Sequence, residues 1–152
     1  MTIRSFLAAA LGLIPLLSVA GCDHEPVIDQ VFLSRPVLRG DQTAVISVVV
    51  RDKSGLEDLV GVQLYSDDLT YWYGSLAEVS NGVFETTIDW GRLHAASPIN
   101  FDFPVERIIT VVAEDNEGGS DSQTITFELR CRSKEHACEG ACYPIDLDCK
   151  DL

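Results

Sequence analysis

Residues 109–127 read ITVVAEDNEGGSDSQTITF. An alternating run ends in Ala113-Glu114-Asp115, turns through Gly118-Gly119, and resumes after Ser120. In the second arm Ile125, Phe127 and Leu129 alternate with Thr124, Thr126 and Glu128. A period of two on both sides of a glycine turn is the pattern of two paired strands, each with one face on a core. The two strands are expected over residues 107–114 (RIITVVAE) and 121–130.

Working outward, the same grammar repeats. Strand-like runs cover residues 27–33, closed by Pro36 and Gly40, and residues 44–51 (AVISVVVR), rich in β-branched residues. After the Asp52-Lys53-Ser54-Gly55 turn comes a run over 59–66, in which Val60, Val62 and Leu64 share a face. A run over 71–80 leads into Asn81-Gly82, a strong hairpin signal, and then into 83–90, where Phe84, Thr86, Ile88 and Trp90 share a face. Residues 91–106 read as a long loop, and no helix-length apolar period occurs between residues 27 and 130. About seven short strands predict an all-β, antiparallel β-sandwich. Residues 109–127 resemble the last two strands of bacterial immunoglobulin-like or cadherin-like domains, which implies an immunoglobulin-like scaffold and no particular ligand. There is no cysteine pair between the second and sixth strands and no tyrosine corner, so an antibody-type domain is not expected.

The N-terminus reads as an address. Arg4 precedes the apolar run 6–17 (FLAAALGLIPLL), which Gly12 and Pro15 interrupt. It is too short to cross a ~30 Å hydrocarbon core as a helix, and it suits the apolar region of a secretory signal. Val19-Ala20-Gly21-Cys22 resembles a bacterial lipobox. The resemblance implies cleavage after Gly21, diacylglycerol in thioether linkage on Cys22 Sγ, and acylation of the new amine. An ordinary signal peptide with an incidental cysteine is the alternative. Asp23 resembles an inner-membrane retention signal of enteric bacteria, but the leaflet stays open. The expected organisation is a signal peptide over 1–21, a lipidated anchor linker over 22–26, a sandwich over 27–130 and a Cys-rich tail over 131–152. The expected location is the bacterial cell envelope, with the membrane engaged through the lipid. If consecutive strands run antiparallel, the first begins at the end carrying the 52–58 and 115–121 loops. That end then faces the membrane, and partners meet the opposite tip, which carries the 91–106 loop and the tail.

Four cysteines follow the last strand, Cys131, Cys138, Cys142 and Cys149. An even count in a short, polar, exported segment predicts two disulfides, of which three pairings are possible. A zinc site on these thiolates with His136 is the alternative.

Twenty-four acids against 11 bases give a formal net charge of −13, which excludes a basic nucleic-acid surface. The three histidines, His24, His94 and His136, are scattered, and no nucleophile elbow, zinc-helix motif or phosphate loop occurs. An enzyme is therefore not expected. No cofactor is required, although calcium is a candidate: Asp52 and Asp58 should share one end of the sandwich with Asp115 and Asp121, and hard cations take six to eight such oxygens. A solvated acidic end is the plainer reading. A two-residue loop at Asn81-Gly82 pairs Val79 with Phe84 and Tyr73 with Trp90, pairs that read as core, and places Trp72 and Leu76 on the opposite face. Exposed there, they form a platform for a sugar or a partner; a bulge at Gly74 flips the parity and packs Trp72 into the core, which is the favoured reading. The function expected is a membrane-anchored, non-catalytic protein-interaction or structural module whose partner is another envelope protein or a glycan. The alternative is a carbohydrate- or calcium-binding lipoprotein.

Overall fold

The structure is a computed structural model that describes residues 24–40, 42–101 and 105–151. The signal segment, Cys22 and Asp23 lie outside the described residues. The strands are β1 (Val27–Leu33), β2 (Val37–Arg39), β3 (Thr43–Arg51), β4 (Leu59–Ser66), β5 (Trp72–Ser75), β6 (Ala77–Ser80) and β7 (Val83–Asp89). Helix α1 (Trp90–Ala96) follows, then β8 (Val105–Asp115), β9 (Ser120–Arg130), β10 (Glu135–Cys138) and β11 (Ala141–Pro144).

Two sheets face each other, one in the order β1-β3-β7-β6 and the other in the order β2-β9-β8-β4-β5. Alternation supplies the core between them. In β3 the inward residues are Ala44, Ile46, Val48 and Val50, each nearly or fully buried. They meet Val62 and Leu64 of β4, Ile109 and Val111 of β8 and Phe127 of β9, all within one apolar cluster. Every strand pair is antiparallel except β2 with β9, which run parallel from Val37↔Glu128 to Arg39↔Arg130. Residues 36–40 thus contribute a short edge strand, not only the turn expected there. It is held in place by Leu38, which is fully buried.

Three local departures from strict alternation correct the sequence reading. The expected strand over 71–80 is two strands: β5 pairs with β4 in one sheet, and β6 pairs with β7 in the other. The chain changes sheets at Leu76, whose amide donates to the Val62 carbonyl at 2.8 Å. Tyr73 therefore does not pair with Trp90. In β6 the register shifts after Glu78, which pairs with Phe84, so Val79 is left unpaired and 57% exposed where core packing was expected. A shift between Leu59 and Gly61 does the same to Val60, which is 57% exposed while Val62 and Leu64 are buried. A bulge adds one residue to one strand and turns that residue out of the alternation.

The expected long loop begins with a helix. Asp89 is extended and its carboxylate accepts from the Arg92 amide at 2.9 Å, a side-chain N-cap for α1. Leu93 fixes the helix to the core and is fully buried.

The ends of the sandwich are arranged as the antiparallel reading required. Val27 pairs with Arg51 at the start of β1, and the Asn116 amide donates to the Asp58 carbonyl at 2.8 Å, so the β1 start, the 52–58 loop and the β8–β9 turn share the near end. Helix α1, the β4–β5 turn and the tail lie at the far end, where β8 begins and β9 finishes.

Gly82 closes the β6–β7 hairpin at φ +73°, and a Cβ there would lie 2.7 Å from the Val50 carbonyl oxygen. Gly118, at φ +90°, has open space around it. We expect Gly82→Ala to destabilise by about 2–3 kcal/mol and Gly118→Ala by only about 1 kcal/mol, since the first adds a backbone clash to the left-handed strain both share. Urea unfolding of the two variants checks the difference.

Candidate functional site

The tail is built by its cysteines. Cys131 bonds Cys142 and Cys138 bonds Cys149, an interleaved pairing across the β10–β11 hairpin. Each bridge closes a sequence separation of 11, worth roughly 2–3 kcal/mol in the chain-entropy account. The thiols expected for a zinc alternative are thus consumed. His136 Nε2 still lies 3.5 Å from Cys149 Sγ.

The four candidate calcium ligands, Asp52, Asp58, Asp115 and Asp121, do share the near end, but they do not converge. Among the described residues, the only His, Cys, Asp and Glu atoms gathered tightly enough for a common ion are those of His136, Cys138 and Cys149. Instead three of the four carboxylates serve the backbone. Asp115, 4% exposed, accepts from the Glu117 and Gly119 amides at 2.9 and 2.8 Å. Asp121 accepts from the Ile28 amide at 2.8 Å and from its neighbour Ser122. Asp52 accepts from the Ser54 amide at 2.7 Å through Oδ1, while its Oδ2 is buried without a partner. A carboxylate that stitches a loop in this way has its lone pairs directed at N–H groups, not at a shared centre.

Trp72 and Leu76 part company. Trp72 is 56% exposed, and its indole N–H donates to Gln63 Oε1 at 2.7 Å on the outer face of the sheet. Leu76 is 7% exposed. The bulge anticipated near Gly74 exists, with Tyr65 paired to Trp72 and Leu64 to Gly74. It acts after Trp72, so Leu76 is the residue turned inward and Trp72 stays outside. Core packing of Trp72 and a joint Trp72–Leu76 platform are both corrected by this register.

His94, near Ser97 in sequence, has a structural job. Its ring stacks on Trp90 with centroids 5.1 Å apart, and its Nδ1 accepts from the Ile99 amide at 3.2 Å. Trp90 stacks in turn on Phe101 at 5.7 Å. This layer packs α1 and the following segment on the sandwich.

The far end also holds a cleft of about 430 Å³ between the β4–β5 turn and the start of β8. One wall is the turn itself, where Asp68 Oδ1 accepts from the Ser66 and Thr70 hydroxyls at 2.5 and 2.8 Å. Those hydroxyls, Ser66 foremost, hold the Asp68 carboxyl below the usual carboxylate range. The other wall is Arg107, whose Nη2 donates to the Ser97 carbonyl at 2.8 Å. Tyr71 and Tyr73 stand edge to face, 5.1 Å apart. Tyr73 is 5% exposed and its hydroxyl has no hydrogen-bond partner; Arg107 Nε is likewise buried and unpartnered. Burial pushes the Tyr73 phenol up, with the Arg107 charge acting against it. Tyr73 is buried in the core as the sequence suggested, while Arg107 read only as the first residue of a strand, and the sheet change at Leu76 brings the two together.

The sequence matches no protein-family model and no curated protein. Among solved structures it is similar to the N-terminal Ig1-2 module of the Drosophila receptor protein tyrosine phosphatase DLAR, with a TM-score of 0.51 and 14% identity over 76% of this chain. The chain spans 54% of that structure's length. A further similarity, to murine CRIg, has a TM-score of 0.35 and 12% identity over 71% of this chain and 98% of that one. At such identity the likeness to the DLAR module speaks to the fold alone: the sandwich is immunoglobulin-like.

Substitution separates the two candidate platform residues. We expect Leu76→Ala to destabilise by about 2–4 kcal/mol, as buried leucines do, and Trp72→Ala by less than about 1 kcal/mol. Denaturant titration monitored by far-UV circular dichroism gives both values.

Proposed function

We propose that this chain is a lipid-tethered, non-catalytic interaction module of the bacterial cell envelope, held at its near end and presenting its far end to a protein partner. The observation that carries this reading is the polarity of the sandwich. Strand β1 starts at the near end, and only residues 23–26 separate it from Cys22, a reach of about 3.3–3.6 Å per residue. A diacylglyceryl group on Cys22, joined by an acylated amine, anchors such a chain stably where one acyl chain would not. The near end then lies against the bilayer, and α1, the β4–β5 turn and the cystine tail stand away from it.

The immunoglobulin-like neighbours are consistent with a non-catalytic role. The site chemistry supports the same conclusion, since His94 is committed to stacking and to a backbone hydrogen bond. The sheet edges suit protein recognition. All four residues of β6 are exposed along an open edge, and a partner strand can add there through main-chain hydrogen bonds.

Cys22→Ser should release the protein from envelope membranes into the soluble fraction, as read by fractionation and by loss of metabolic lipid labelling. In the anchored protein, fluorophores at Ser54→Cys and Ser97→Cys should differ in quenching by bilayer depth probes, with position 54 the nearer to the lipid. A nearer position 97 would overturn the orientation. Cross-linking in intact envelopes, read by mass spectrometry, should recover one protein partner joined through the far end or β6.

A further inference from the structure

We propose that the far-end cleft is a binding site for a neutral saccharide, taking the terminal one or two rings of a glycan. This goes beyond the protein-interaction reading and does not depend on it.

The chemistry of the walls selects the ligand. Two donors lie just behind the cleft surface without acceptors, Arg107 Nε–H and the Tyr73 hydroxyl, each with almost no surface open to water, so a ligand oxygen meets them when a rim side chain turns aside. Leaving such groups buried and unmet is unfavourable, and a ligand oxygen placed on them removes that cost. They are sheltered from bulk water, so a hydrogen bond made to them is made in a weakly screening environment. The rim carries the opposite kind of group. Asp67 and Glu106 are exposed acceptors lining the same cleft. Asp68 is already engaged through Oδ1 with Ser66 and Thr70.

A ligand for this site must both accept and donate within a small volume, which is what ring hydroxyls do. A carboxylate or phosphate would meet Arg107 but would face Asp67, Asp68 and Glu106 together. A metal cation would leave both unpaired donors unmet. The Tyr71 ring, 38% exposed and braced edge-on by Tyr73, offers an apolar face for the C–H side of a pyranose. A volume of about 430 Å³ lies at the small end of the ~300–1,000 Å³ usual for small-ligand clefts and suits a mono- or disaccharide. The site stands at the end of the sandwich away from the start of β1, where a glycan can reach it.

The test uses the full-length lipidated protein in detergent micelles, screened on a glycan array. Calorimetric titration then uses methyl hexosides and the neutral disaccharides lactose, cellobiose and chitobiose. At least one of these should bind saturably. Arg107→Gln and Tyr73→Phe should each weaken it about tenfold, roughly one well-placed hydrogen bond. Tyr73→Phe keeps the ring in the core, so its melting temperature without sugar should be unchanged or higher. Trp72→Ala should bind as the parent does. The proposal is overturned by no saturable neutral sugar, by parent-like affinity in both cleft variants, by loss of binding only in Trp72→Ala, or by displacement of the sugar by a peptide. A null titration leaves the protein-partner reading intact, and an empty cross-linking experiment leaves this one intact.

Discussion

One buried carboxylate sets the frame on which the other strands hang. Asp115 sits at the end of β8, 4% exposed, with Oδ1 accepting from the Glu117 and Gly119 amides while its own amide donates to the Gly119 carbonyl at 3.0 Å. These bonds close the turn at one length, and turn length fixes hairpin register. From there β8 and β9 run in step from Glu114↔Ser120 to Val105↔Leu129. A slip of one residue would send Ile109, Val111 and Phe127 to solvent. The hairpin then recruits its neighbours: β4 pairs along β8, β2 pairs along β9, and Asp121 reaches across to the Ile28 amide of the opposite sheet. Gly119 is part of the same device, because a Cβ there would lie 2.5 Å from the Asp115 carboxylate.

The elements that were legible in the sequence are those governed by local rules. Alternation placed β1, β3, β7, β8 and β9, the Asn81-Gly82 pair marked its hairpin, and the even cysteine count marked the stapled tail. The misreadings share one physical origin. Val60 and Val79 are bulged residues, and nothing in their identity distinguishes them from core valines. A bulge is decided by how two strands twist against one another, so it depends on a partner strand that a one-dimensional pattern does not contain. The split of 71–80 into β5 and β6 belongs to the same class. Gly74, at φ +135°, is its one local trace. Strand β2 escaped because three residues are too few to show a period, and α1 because its seven residues carry a single fully buried anchor, Leu93.

The candidate site was less legible than the fold for a related reason. Acids cluster near the 52–58 and 115–121 turns in sequence, and that suggested an ion. The turns need those same acids for their own amides, so the cluster is spent on loop geometry. Trp72 drew attention by its type, yet on the outer face it needs only Gln63. Tyr73 and Arg107 are unremarkable in sequence and become interesting only as neighbours across two strands.

This contrast bears on where function resides. A folded chain ordinarily satisfies its buried polar groups, and exceptions ask for an explanation in chemistry or binding. At the near end the Asp115 and Asp121 carboxylates are matched by backbone donors, Asp115 within its own turn and Asp121 from Ile28 across the sandwich, while Asp52 keeps one carboxylate oxygen buried and unpartnered. At the far end the tail is fixed by two cystines and the 90–101 segment by an aromatic stack, yet Tyr73 and Arg107 keep donors unmet between these rigid walls. A rigid surround prevents the two donors from relaxing toward protein acceptors. It also holds them in place for a ligand at little cost in ordering, which is how a small cleft gains affinity from few contacts. The far end is thus stiff and holds two unmet donors, which suits recognition of a ligand that brings its own acceptors.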